Sequence, residues 1–370
     1  MKNSTRIFLY IFTIFVFLIS VSCALIPDKM KDQTLSCQSE SHQCEDKRYR
    51  NPEAIEGLNW SRTFAMFKRY MNEEVVNQTP DFDVPVLSLN KKQINSLPVD
   101  SISVVRLGHS SLLLRIAGQL WLIDPVFSER VSPFKSIGPK RFHAPPLSID
   151  QLPPLTGVVI SHNHYDHLDR ASIEMLKGKV EHFIVPLGLA AFLQDWGVDN
   201  SRIQELDWWQ STKIDTLEII STPAQHFSGR GLFDRNLTLW SSFVLKAPQG
   251  KVFYSGDGGY FKGFQEIGKA HGPFDLTIME VGAYDKMWSQ VHMFPAEALQ
   301  AHQDLRGKFM LPVHNGTFDL AFHAWSEPFE QLTKLAPETG VDVVTPRMGE
   351  IFSISQNFTS VAWWRKATNQ

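Results

Sequence analysis

A chain of 370 residues with 43% apolar residues can bury a large core, and its length allows one large or two ordinary domains. The 36 basic and 39 acidic residues leave a formal charge of -3, so the chain lacks the basic excess of a nucleic-acid-binding protein, and no nucleic acid is expected as a partner. The 26 Phe and 10 Trp could line an apolar ligand site, although most aromatic side chains simply fill cores.

Lys2 and Arg6 precede an almost wholly apolar run from Ile7 to Ile19, which small and polar residues follow. That order reads as a secretory signal over 1–23, with an uncleaved anchor as the rival, because the run is shorter than the roughly 20 residues that span a bilayer. The chain is therefore expected to be exported, to the periplasm or to a membrane surface. Cys23 ends the run. Either it is the acylated first residue of a lipoprotein, or cleavage falls near Ala24; Ser20 in place of the usual leucine weakens the first reading. Residues 24–51 are polar and without periodicity, as in a linker. Cys37 and Cys44, seven apart in this exported segment, are expected to form a disulfide by default. Residues 52–370 are read as one domain.

Trp60, Phe64, Phe67 and Met71 recur at helical spacing, predicting a helix over about 60–74 that either packs on the main domain or faces a membrane. From Ser101 the pattern turns to strands: 102–106, 112–116 and 120–123, with Gly118-Gln119 as a hairpin turn and Asp124-Pro125 as a stop. A strand at 156–160 leads into a histidine-rich loop, and a helix follows with Asp169 as its N-cap. Strands are expected at 182–186, 217–222, 239–246, 251–255, 275–281, 309–313, 341–345 and 351–354, and helices at 187–196, 295–305 and 326–336. This mixture predicts an α/β fold: an αββα sandwich of two mixed sheets flanked by helices.

The chemical signal is Ser161-His162-Asn163-His164-Tyr165-Asp166-His167. Three imidazoles and a carboxylate fall within six residues after an apolar strand, and both groups are good zinc ligands. Four such groups cannot all reach one ion from a regular element, but on a tight loop they can splay toward two. Two zinc ions need about seven or eight protein donors, so further ligands must come from elsewhere. His226, Asp257 and His314 are the candidates, each just past an apolar run, and the glycines around Asp257 allow a sharp turn.

This order of ligands resembles the metallo-β-lactamase superfamily. Within it, the chain is similar to the phospholipase D family that hydrolyses N-acylphosphatidylethanolamine. The similarity runs over about 50–355 and rests on stretches such as Asp124-Pro125-Val126-Phe127-Ser128, Gly138-Pro139-Lys140-Arg141-Phe142, Leu206-Asp207-Trp208-Trp209, Pro223-Ala224-Gln225-His226-Phe227 and His314-Asn315-Gly316-Thr317-Phe318. The resemblance implies a metallo-β-lactamase fold and two zinc ions. His162, His164 and His226 would hold one ion, Asp166, His167 and His314 the other, and Asp257 would bridge them. Asp166 would also orient the nucleophile. His292 matches an active-site histidine of the family, and His109 is read as a partner that orients a ligand. Gly258 stands where the family often has Thr, and Asn315 where Trp is common; both touch the pocket and bear on acyl-chain preference.

The implied reaction converts N-acylphosphatidylethanolamine into N-acylethanolamine and phosphatidic acid at a membrane surface. Two other readings stand beside it: a hydrolase of the same fold acting on a lactone or another ester, and a lipid-binding lipoprotein without turnover. The seven clustered ligands count against the last, since they would be buried without a partner.

Overall fold

The computed structural model describes residues 37, 41, 43–56, 64–66, 68, 69 and 72–366. The segment 1–23 that reads as a secretory signal, with Cys23, lies outside the described residues, as do Trp60, Phe67 and Met71. Among the described residues no helix is long and apolar enough to cross a membrane.

The stretch read as linker carries structure. Cys37 and Cys44 form the expected disulfide, with Cα atoms 5.7 Å apart. It closes a small hairpin of β1 (Cys44–Glu45) and β2 (Arg48–Tyr49). The anchor is Tyr49, fully buried in a cluster with Trp208, Leu239 and Trp240. After a short helix α1 (Lys91–Asn95) come β3 (Ser103–Gly108), β4 (Ser111–Ile116), β5 (Gln119–Ile123), β6 (Leu155–Val159), helix α2 (Arg170–Leu176), β7 (Val180–Pro186), helix α3 (Ala190–Asp195) and β8 (Ile203–Leu206). The second half runs β9 (Ser211–Ile214), β10 (Leu217–Thr222), β11 (Ser242–Ala247), β12 (Gly250–Tyr254), α4 (Gly263–His271), β13 (Phe274–Glu280), α5 (Pro295–Asp304), β14 (Gly307–Val313), α6 (Glu327–Thr339), β15 (Asp342–Val343) and β16 (Ile351–Ser353).

These strands make two seven-stranded sheets, ordered β16-β3-β4-β5-β6-β7-β8 and β15-β14-β13-β12-β11-β10-β9. Both are mixed. In the first, β3, β4 and β5 are antiparallel and β5 to β8 parallel; in the second, β9 to β12 are antiparallel and β12 to β15 parallel. Hairpins suit short loops, whereas the parallel steps need the helical crossovers that supply the outer layers.

Alternation along the strands sorts the apolar residues into three layers. Phe243, Leu245, Val252 and Tyr254 meet Leu112, Leu114 and Trp121 between the sheets. Val244 and Phe253 face outward onto Phe264, Ile267, Leu299 and Leu332 of α4, α5 and α6. Val158, Phe183 and Val185 face the other way, onto Ile173, Leu176 and Phe192 of α2 and α3. Each such fully buried side chain contributes roughly 1.5–3 kcal/mol. The architecture is the expected αββα sandwich.

Sequence periodicity missed α4, whose Gly263 and Gly268 lower helix propensity. The helix forms because Phe264 and Ile267 bury against the sheet. The Asp169 cap is present: its side chain accepts from Ala171 N–H at 3.3 Å. The strand expected from 239 starts at Ser242, because Leu239 and Trp240 turn into the cluster around Tyr49.

Candidate metal centre

Both sheets present their strand ends to one rim of the sandwich, and every predicted ligand lies there. The loop after β6 carries His162 to His167, the segment after β10 carries His226, the turn after β12 carries Asp257, and His314 follows β14. Sharp backbone is needed at this rim. His109, Asp124 and His314 adopt left-handed φ values of 53°, 40° and 65°, uncommon for residues with a Cβ. Gly256 also has φ +58°, and a Cβ there would sit 2.8 Å from Ser241 O, so glycine is required to aim Asp257 inward.

The donors form two groups that meet at Asp257. In the first, His162 Nε2 and His226 Nε2 lie 2.9 and 3.2 Å from His164 Nδ1. In the second, Asp166 Oδ2 lies 3.2 Å from His314 Nε2, 3.1 Å from His109 Nε2 and 3.6 Å from His167 Nε2. Asp257 Oδ2 is between them, 2.9 Å from His314, 3.1 Å from His167, 3.8 Å from His162 and 3.9 Å from His226.

Hydrogen bonds on the far side of each ring determine which nitrogen faces inward. His226 Nδ1 is 3.0 Å from Val291 O, an acceptor only, so Nδ1 carries the proton and Nε2 offers a lone pair. His167 Nδ1 donates to Asp124 Oδ2 at 2.6 Å. Ser161 Oγ gives its proton to Asp124 at 2.5 Å and accepts from His162 Nδ1 at 2.9 Å. His162 and His226 thus both direct an Nε2 lone pair toward His164 Nδ1. A single N–H on His164 cannot satisfy both of its neighbours, whereas a cation would satisfy all three. His167 Nε2 and Asp257 Oδ1 are also buried without a hydrogen bond among the described residues. This donor set fits metal ions: imidazole and carboxylate, buried, convergent and otherwise in conflict.

Burial opposes charge on every member, and the carboxylates decide the outcome. Burial alone would lower His314, but Asp257 and Asp166 raise it to about 10. His167 is likewise raised well above its ordinary value against burial, by Asp257, Asp166 and Asp124. Burial and the charge of His167 take His162 well below its ordinary value. Burial also works against ionised Asp166 and Asp257, yet the surrounding histidines hold both well below the usual carboxylate range.

His292 lies beside the donors, its ring 5.1 Å from that of His226 and 5.3 Å from that of His314. Its Nδ1 donates to Glu280 Oε1 at 2.6 Å. Two residues that sequence reasoning left without a role complete the centre. Asp124, read only as a strand stop, accepts from Ser161 N–H, Ser161 Oγ, His167 Nδ1 and Tyr254 OH. Glu280 is a fully buried acid ending an apolar strand, a signal visible in sequence but unassigned there. His109 joins the second donor group through Asp166. Asn315 does not approach the donors through its side chain; it accepts from Arg106 and donates to Val281 O and Val313 O, tying strand ends together.

A cavity of about 400 Å³ opens onto both donor groups. His164, Asp166, Asp257, His292 and His314 form its floor, and Met66, Phe227, Met287, Trp288 and Leu320 give it apolar walls. Met66 brings the segment expected to be helical over 60–74 against this cavity. Arg69 of the same segment pairs with Asp285 at 2.6 Å.

Residues 121–315 match a family described as the β-lactamase superfamily domain. The chain belongs to the metallo-β-lactamase superfamily. It is 45% identical over 268 residues to an uncharacterized protein of Mycobacterium tuberculosis, covering 71% of this chain and 72% of that one. It is 31% identical over 336 residues to an N-acyl-phosphatidylethanolamine-hydrolyzing phospholipase D of Caenorhabditis elegans, covering 84% of this chain and 93% of the relative. A metallo hydrolase of Ignicoccus hospitalis shares the fold, with a TM-score of 0.53 at 21% identity, covering 70% of this chain and all of that structure. Superfamily membership and the donor clusters together make this a metal-dependent hydrolase.

Proposed function

We propose that this hydrolase is a zinc-dependent phosphodiesterase of the phospholipase D type, cleaving N-acylphosphatidylethanolamine to N-acylethanolamine and phosphatidic acid. The observation that carries the reading is the cavity, whose apolar walls end on the donor groups, as a lipid phosphodiester requires. The similarity to the worm phospholipase along most of both chains supports it.

His162, His164 and His226 would hold one zinc ion, Asp166, His167 and His314 a second, and Asp257, central among the distances above, would bridge them. Bound zinc supplies Lewis acidity toward phosphoryl oxygens and lowers the pKa of water. Asp166 sits between both His109 and His314 and orients the attacking water. Glu280 fixes the proton of His292 on Nδ1, so Nε2 faces the cavity with a lone pair. There it takes the proton that the attacking water gives up and hands it to the departing ethanolamine oxygen. Water adds to phosphorus as the bond to that oxygen breaks. Export and a membrane surface as the working place are part of the same reading. Leu232 and Phe233, close in sequence to the cavity-lining Arg235, are exposed, as contact with lipid needs.

The test is hydrolysis of N-acylphosphatidylethanolamine vesicles by protein as purified, after chelation, and after zinc is returned. Release of N-acylethanolamine should stop on chelation and recover with zinc. Turnover of a soluble lactone or ester with none of the lipid would overturn the proposal.

A further inference from the structure

Arg235 is the one lysine or arginine among the described residues that lines the cavity. Its guanidinium carbon stands 4.4 Å over the Phe227 ring. That ring in turn packs 4.7 Å from the rings of both His164 and His226. The charge is thus one aromatic ring removed from the donors. It is too far to hold the oxygens of a phosphorus seated on them, and well placed for a group a few bonds further along the substrate.

Arg235 is exposed, and no carboxylate of the described residues pairs with its guanidinium. Asp234 accepts from Arg230 N–H and Gly231 N–H, both at 2.8 Å, which closes the loop. Arg48 donates to Arg235 O and, at 3.3 Å, to Phe233 O, so the second cation nearby is spent on backbone carbonyls. Partial burial and the charge of Arg48 both lower the pKa of Arg235, and no carboxylate of the described residues raises it. Contact with Phe227 covers part of the guanidinium, and the same residue lines the cavity. Acids on the same wall are Asp166 and Asp257, which belong to the donor groups, and Glu56, whose backbone N–H donates to Gln290 Oε1 at 2.8 Å.

We propose that Arg235 selects the headgroup: it donates to the acyl-amide carbonyl of an N-acylated ethanolamine and repels the ammonium of an unacylated ethanolamine or choline lipid. This rests on the phospholipid reading above. In an N-acylated ethanolamine phosphodiester, an ethylene bridge separates the phosphate oxygen from the amide. Acylation exchanges a cation for a neutral acceptor at that point. An unpaired guanidinium distinguishes these two by sign of charge as well as by hydrogen bonding, combining attraction to one ligand with repulsion of the other.

The experiment compares hydrolysis of N-acylphosphatidylethanolamine and phosphatidylcholine in the same mixed vesicles by wild type, Arg235→Gln and Arg235→Lys. A small aryl phosphodiester without nitrogen serves as control. Arg235→Gln should lower the preference for the N-acyl lipid by roughly tenfold, mainly through KM, with zinc content and aryl phosphodiester turnover unchanged. Arg235→Lys should still reject the choline lipid, because it keeps the charge. If wild type turns over neither lipid, the phospholipid reading fails and this inference with it. If wild type shows the preference and Arg235→Gln keeps it within about twofold, this inference alone fails. A larger effect from Glu56→Gln than from Arg235→Gln would assign the selection to the acid and overturn it as well.

Discussion

Two buried histidines mark the two ends of β14. His302 packs against Gly307 at the start of the strand, where a glycine Cβ would lie 2.5 Å from its ring. His314 follows Val313 at the end. Both are almost wholly inaccessible, at 2% and 3% exposure, yet their charges are driven in opposite directions. Among the described residues His302 hydrogen-bonds only to the Thr277 hydroxyl, at 2.7 Å, and burial outweighs the charge of Asp342 and pushes its pKa down to about 4. His314 suffers the same burial, but Asp257 and Asp166 carry it up to about 10. Burial by itself makes a histidine neutral and structural. The carboxylates gathered at the opposite rim are what make that end a place for positive charge, whether carried by protons or by metal ions. Asp257 stands at the centre of the difference.

The largest effect should therefore follow from Asp257→Asn. The amide keeps the shape and removes the charge between the two donor groups. Loss of an outer partner of a metal ligand typically costs about 10–100-fold in metal affinity or activity. Removing a carboxylate that touches both groups should exceed that range, with bound zinc per chain falling in parallel. Hydrolysis at the wild-type rate with full zinc content would remove Asp257 from its bridging position.

The next largest effect should separate the donor groups from each other. Asp124→Asn weakens the 2.6 Å bond that fixes the His167 proton on Nδ1, and should cost roughly 10–100-fold in activity. Asn51→Ala acts on the other group. Asn51 clamps the backbone of His226, donating to its carbonyl at 2.7 Å and accepting from its N–H at 2.8 Å. Since that clamp holds a ligand's backbone and not its tautomer, a smaller loss, below about tenfold, is expected. Zinc titration of the two variants checks the order. An Asn51→Ala defect larger than that of Asp124→Asn would show that loop position, not ring orientation, limits the site.

How much of this rim could be read in the sequence depended on whether the information was local. The loop from His162 to His167 announces itself because its ligands are close in sequence. Asp257 could be picked out because Gly256 is the residue a sharp turn demands, and His226 and His314 because each follows an apolar strand. Asp124 and Glu280 could not be assigned, although each also ends an apolar strand. Their partners are set by sheet order: Asp124 reaches Ser161 because β5 lies beside β6, and Glu280 reaches Gly258 N–H, at 3.2 Å, because β13 lies beside β12. The same limit applies to the fold. The strands at the centre of both sheets carry enough β-branched and aromatic residues to be recognised alone. Helix α4, and the outer strands β8 and β9, exist because a neighbouring strand or sheet face is available to them.

The smallest effect tests the structural end of β14. His302 takes up no proton in the folded protein until about pH 4, whereas in the unfolded chain it titrates near its ordinary value of 6.5. Above pH 6.5 both states are neutral and the residue adds no pH dependence. Between 6.5 and 4 the unfolded state binds the extra proton, so stability falls as pH falls. The full difference corresponds to about 3 kcal/mol by pH 4, since one pKa unit is worth about 1.4 kcal/mol. His302→Gln should remove that share of the acid sensitivity while keeping a side chain able to donate to Thr277. Urea midpoints of the two proteins, measured from pH 7.5 down to 5 at constant salt, should show the wild type losing ground to the variant as the pH drops, whatever their difference at pH 7.5. Parallel curves would mean that His302 takes up its proton as readily in the folded state as in the unfolded one, and that the two ends of β14 differ less than their surroundings imply.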